Sequence, residues 1–117
     1  MLLYIDLRER TAFDADVLER TLLTAGAIKY SSPGVTCVAA FDYSLGDDMT
    51  TIRIPGDLET VNLDGTGLAS FDIAWRLQKN CPKPIHIVDE QYNFDYAISD
   101  FDSLESLMHA ANEAMNE

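Results

Sequence analysis

Apolar and polar positions along this chain switch repeatedly between a period near 3.6 and a period of two. Leu2 to Leu7 is a short apolar run halted by Arg8-Glu9-Arg10, the pattern of a buried first strand. Val17, Leu18, Leu22 and Ala25 then recur at helical spacing and predict a helix over 13–25, with Thr11 or Asp14 as its cap and Gly26 as its end. Ile28 to Tyr30 reads as a short strand cut by the turn signal Ser31-Ser32-Pro33-Gly34. From Val35 to Tyr43 alternate positions carry Val35, Cys37, Ala39, Phe41 and Tyr43, while Val38 and Ala40 make the second face apolar too, which predicts a central strand. Ser44-Leu45-Gly46-Asp47-Asp48 is a polar turn, Thr50 to Ile54 pairs back as a hairpin, and Glu59 to Leu63 is a weaker strand.

Asp64-Gly65-Thr66-Gly67 leads into a helix over 67–79 in which Leu68, Phe71 and Trp75 share a stripe widened by Ile73, Ala74 and Leu77, so deep burial is expected. Asp64 or Thr66 is the expected cap of that helix. Pro82 and Pro84 bar its continuation. Ile85 to Val88 resumes a strand, Glu90-Gln91-Tyr92-Asn93 turns the chain, and Phe94, Tyr96 and Ile98 alternate on the returning strand. Asp102 or Ser103 starts a last helix over 103–115, with Leu104, Leu107, Met108, Ala111 and Met115 on one stripe. This order predicts one α+β domain spanning 1–117, in which a mixed or largely antiparallel sheet of about five to seven strands is covered by three helices. Its expected central members are Val35 to Tyr43 and the 85–98 hairpin.

Charge changes the picture more than any motif does. The chain carries 20 acids against 8 Lys and Arg, a formal charge of −12. Lys83 is its last basic residue, whereas Asp89, Glu90, Asp95, Asp100, Asp102, Glu105, Glu113 and Glu117 follow it. Such a balance opposes nucleic acid and anionic membrane, whose binding requires Lys and Arg to displace counterions. A one-sign field on so small a domain also costs stability through self-repulsion, so it points to a partner of opposite charge. Asp89, Glu90, Tyr92, Asp95, Asp100 and Asp102, with Tyr43, Asp47 and Asp48, are the candidate partner-binding residues.

Catalysis has thinner support. The Asp64 to Gly67 turn lacks the lysine of a phosphate-binding loop, and Cys37, Cys81, His86 and His109 match no zinc-ligand spacing. Cys37 is expected as a buried structural thiol, and His86, alternating with Ile85 and Ile87, on the far side of the sheet. The acid pairs Asp47-Asp48 and Asp89-Glu90 sit in turns where neighbouring carboxylates diverge, and neither reproduces a calcium loop. No enzymatic activity, metal or cofactor is expected. No apolar stretch reaches the length that spans a bilayer, and no signal segment precedes Leu2, which predicts a cytosolic protein.

The stretch from Leu63-Asp64-Gly65-Thr66-Gly67-Leu68-Ala69-Ser70 through Asp89-Glu90-Gln91-Tyr92-Asn93-Phe94-Asp95 to Ser103-Leu104-Glu105-Ser106-Leu107 resembles small bacterial immunity proteins. These are cytosolic antidotes to polymorphic or contact-dependent growth-inhibition toxins. The resemblance lies in size, acidity and element order over about half the chain. It implies an inhibitor that binds one toxin domain, often a nuclease with a basic cleft. Two other classes fit the charge: an acidic nucleic-acid mimic or phage counter-defence protein, and a small non-catalytic subunit of a larger assembly.

Overall fold

A computed structural model describes residues 1–32 and 37–116. The Pro33-Gly34 part of the expected turn and the Val35 end of the expected strand lie outside the described residues. The elements are β1 (Leu2–Tyr4), α1 (Ala15–Thr24), β2 (Ile28–Lys29), β3 (Cys37–Leu45), β4 (Asp48–Pro55), β5 (Thr60–Leu63), α2 (Leu68–Lys79), β6 (His86–Val88), β7 (Asp95–Ala97) and α3 (Leu104–Met115), with a 3₁₀ turn at Ile98–Asp100. The strands form one seven-stranded sheet in the order β2-β3-β4-β5-β1-β6-β7. Every neighbouring pair is antiparallel.

Local chemistry accounts for the helix ends. Asp14 caps α1, its Oδ1 accepting from the backbone N–H of Asp16 at 2.9 Å and of Val17 at 3.1 Å, and Gly26 leaves the helix at φ 96°. Ser103 and Ser106 exchange hydrogen bonds at the start of α3 in a capping box. The start of α2 departs from expectation. Neither Asp64 nor Thr66 caps it; Asp48, from the β3–β4 hairpin, accepts from the Ala69 N–H at 2.7 Å. The room for that carboxylate comes from Gly67, where a Cβ would stand 2.5 Å from Asp48 Oδ2. Asp64 instead offers its carbonyl to the buried hydroxyls of Thr50 and Ser70, at 2.9 and 2.8 Å, which ties α2 to β4. Gly67→Ala is therefore expected to expel Asp48 and lower stability by about 1 kcal/mol. In urea unfolding, Asp48→Ala should add little to it. Full additivity of the two substitutions would disprove this coupling.

The helices cover one face. Leu3, Phe41, Ile52, Val61, Leu63 and Ile87 point inward from the sheet and are buried with Leu22, Phe71, Leu77, Leu107 and Ala111. α2 packs on β3 and β4 and lies between α1 and α3. Trp75, expected in the stripe with Leu68 and Phe71, is half-buried, and Leu68 is 44% exposed. On the uncovered face, the cross-strand sets Asp42–Thr51, Ala40–Arg53–Asn62 and Tyr4–His86–Ala97 stand side by side.

The middle of the sheet is β5, flanked by β4 and β1, which corrects the expectation that residues 35–43 and 85–98 hold the centre. β3 is next to one edge and β7 forms the other. The second apolar face of β3 arises from a bulge between Cys37 and Ala39, which leaves Val38 58% exposed, and from the small side chain of Ala40. The clean alternation of Phe94, Tyr96 and Ile98 is what a strand with one wet face requires, whether it lies inside a sheet or at its edge.

Candidate protein-binding surface

Antiparallel pairing fixes which turns share an end of the sheet. β4 begins where β3 ends, at the hairpin pair Leu45–Asp48. The β5 residues Asn62 and Leu63 pair with Arg53 and Ile52, and Asn62 also faces Leu2 at the start of β1. Leu2 in turn faces Val88 at the close of β6, and Val88 faces Asp95 at the opening of β7. The 45–48 hairpin, the 64–67 turn, the start of β1 and the 89–94 turn therefore gather at one end. A cleft of about 360 Å³ lined by Gly65, Thr66, Asp89, Glu90, Asn93 and Met115 brings the end of α3 there as well.

This end holds Asp47, Asp48, Asp64, Asp89, Glu90, Asp95 and Glu113. Two cations stand beside them: Arg53, whose Nη1 donates to Asp64 Oδ1 at 2.7 Å, and the Met1 ammonium, which donates to the Leu63 carbonyl at 2.6 Å within reach of the charges of Glu90, Asp64 and Asp89. The carboxylates are not equivalent. Asp89 is buried, accepting from the Asn93 N–H at 2.7 Å, Asn93 Nδ2 at 2.8 Å and the Phe94 N–H at 3.2 Å. It holds the turn together and presents no carboxylate to a partner. Asp48 is occupied at the start of α2. Glu90 and Asp47 are exposed.

Tyr92 crowns the same turn with 81% of its surface exposed. Its φ of 57° lies in the left-handed region, which costs a non-glycine residue about 1 kcal/mol. The Tyr92 N–H donates to the Asp89 carbonyl at 3.1 Å, so the turn imposes that conformation. A large aromatic ring carried outward on a fixed backbone is suited to contact a partner. Tyr43 has the opposite fate: it is buried, and its hydroxyl donates to Asp72 Oδ2 at 2.5 Å, which removes it from the candidate surface.

Asp95 anchors a polar cluster on the uncovered face. Tyr4 Oη donates to Asp95 Oδ2 at 2.5 Å, His86 Nδ1 lies 3.4 Å from Asp95 Oδ1, and the Tyr4 and His86 rings stack with centroids 4.9 Å apart. The phenol of Tyr4 is pushed up to about 12, first by burial and then by its hydrogen bond to Asp95 and the charge there. Asp95 is thus at the acidic end but engaged on the sheet face.

Asp100 and Asp102 are exposed and lie elsewhere. β7 runs away from the acidic end, and the Ile98 N–H donates to the carbonyl of Ile85, just before β6 begins. Closeness in sequence to Asp95 conceals this separation. Asp64, by contrast, joins the surface although its turn position suggested only a cap; the signal was its place directly after a buried strand that pairs with β4.

Cys37 and Cys81 are half-buried, Cys81 beside an apolar cavity lined by Phe13, Leu18 and Leu77. His109 pairs with Glu113 at 2.9 Å on the wet face of α3. Among the described residues no group of three or more His, Cys, Asp or Glu is placed to hold a metal ion, and no helix is long and apolar enough to cross a membrane. No family model, curated protein or solved structure matches this chain.

Proposed function

We propose that the protein is a cytosolic inhibitor of the immunity type, which neutralises a toxin domain by docking its acidic sheet end onto a basic surface of that domain. The observation that carries this reading is that Asp64 and Glu90 line one surface depression with the outward-held Tyr92, while Asp47 is exposed at the same end of the sheet and Arg53 is bound to Asp64. Exposed carboxylates steer the encounter and an amphipathic aromatic ring supplies the contact that persists. A turn fixed in advance by Asp89 loses little entropy on binding. Nuclease toxins fit such a partner because a cleft that holds phosphates is lined with Lys and Arg.

The test uses the toxin domain encoded beside this chain, with growth protection and association kinetics as paired readouts. Asp47→Lys with Glu90→Lys is expected to slow association about tenfold or more at low salt and to flatten its salt dependence. Tyr92→Ala should act mainly on dissociation. Asp100→Lys with Asp102→Lys, at the other end, serves as a control that leaves both rates near wild type. An affinity indifferent to salt and to the first three substitutions would refute the proposal.

A further inference from the structure

On a chain with 20 acids and 8 basic residues, three of the basic ones share a single groove. It runs between α1 and α2, is open to solvent with a volume of about 450 Å³, and is lined by Arg20 of α1 and by Asp72, Trp75, Arg76, Lys79 and Asn80 of α2 and its end. Asp72 is the one carboxylate among the lining residues, and its Oδ2 is engaged within the protein. Its Oδ2 accepts from the Tyr43 hydroxyl at 2.5 Å and from Arg76 Nε at 2.9 Å. That bond uses one of the five donors of the Arg76 guanidinium and fixes its position. Arg20 and Lys79 form no ion pair with the described residues. Lys79 also stands in the last turn of α2, where the helix dipole favours a cation.

Two cations unpaired beside a third, in a protein with carboxylates to spare, are arranged for an anion from outside. Guanidinium groups match phosphate oxygens in pairs, and an ammonium adds a mobile point charge. Trp75, half-buried in the same wall and the only tryptophan of the chain, supplies an aromatic surface for a flat ring. The volume is that of a small-molecule site. We propose that this groove binds a small phosphate ester carrying a planar ring, of the mononucleotide class. The phosphate would lie among Arg20, Arg76 and Lys79 and the ring against Trp75.

Trp75 fluorescence reads the site directly. Titration of the whole protein with AMP is expected to change the emission saturably, with a dissociation constant of about 1 mM or tighter. Adenosine and inorganic phosphate, each lacking half of the recognition, should bind about tenfold more weakly. Arg20→Ala with Lys79→Ala, both exposed positions whose loss leaves the fold intact by circular dichroism, should weaken AMP about tenfold or more. Trp75→Phe, followed by calorimetry, should retain phosphate binding and lose the advantage of AMP over it. No saturable response to AMP, equal affinity for inorganic phosphate and AMP, or an affinity unchanged in the double variant would each overturn the proposal.

Discussion

Replacing Asp89 by alanine lowers the unfolding free energy by about 2–4 kcal/mol, because the buried Phe94 N–H, the part-buried Asn93 N–H and the Asn93 side-chain amide lose their acceptor together. Asp89→Asn keeps one acceptor oxygen and should lose roughly half as much. Urea unfolding measures the loss, and hydrogen exchange locates it: the amides of Asn93 and Phe94 should exchange faster in the variant. The effect reaches beyond stability, since the turn that Asp89 closes is the one that holds Tyr92 outward. A loss below about 0.5 kcal/mol would mean that the turn is held by its neighbours instead.

The second large effect is alkaline. Tyr4 should ionise near a pH of about 12, late compared with an ordinary phenol, which titrates near 10. The folded value is raised above the unfolded one, so the stabilisation is fully present below pH about 10 and disappears as pH climbs towards about 12. Two units correspond to about 2.7 kcal/mol, and the partial exposure of Tyr4 reduces this to about 1–2 kcal/mol. Ultraviolet titration should show late phenol absorbance that Tyr4→Phe reduces by one group, and the variant should lose less stability across that window. The phenol of Tyr43 is raised for the same reasons, by burial and by Asp72, so the assignment rests on the substitution. Late phenol absorbance that Tyr4→Phe leaves undiminished would show that Tyr4 is not a late-titrating group.

Periodicity made the elements legible and left their arrangement dark. α2 runs over Leu68–Lys79, close to the stripe of Phe71, Ile73, Ala74 and Leu77 that announced it, because a buried helix must repeat its apolar face whatever it packs against. The start of α3 was legible to within a residue, as Asp102 or Ser103, and the cap is Ser103, whose partner Ser106 lies one turn away. The cap of α2 was not, because Asp48 precedes Ala69 by 21 residues and meets it only through the hairpin. The same limit separated the candidate residues. Asp89, Glu90, Asp95 and Asp100 are near one another along the chain, yet one is buried, one exposed at the acidic end, one bonded to Tyr4 and one carried away by β7. Whether a turn acid faces solvent depends on which amides the fold aims at it, and sequence spacing carries no such information.

β1 sits between β5 and β6, whereas its residues precede both in the chain. Leu3 faces Val61 on one side and Ile87 on the other, so β1 is held in the sheet only by contacts that span half of the chain or more. During synthesis the apolar segment Leu2 to Ile5 must stay unpaired until β5 has emerged, and one of its edges stays open until β6 follows. Long-range pairing of this kind slows folding and exposes a nascent chain to wrong partners. Ribosome-stalled chains ending after β5 should therefore be caught by chaperones, and chains extended past β7 should escape them.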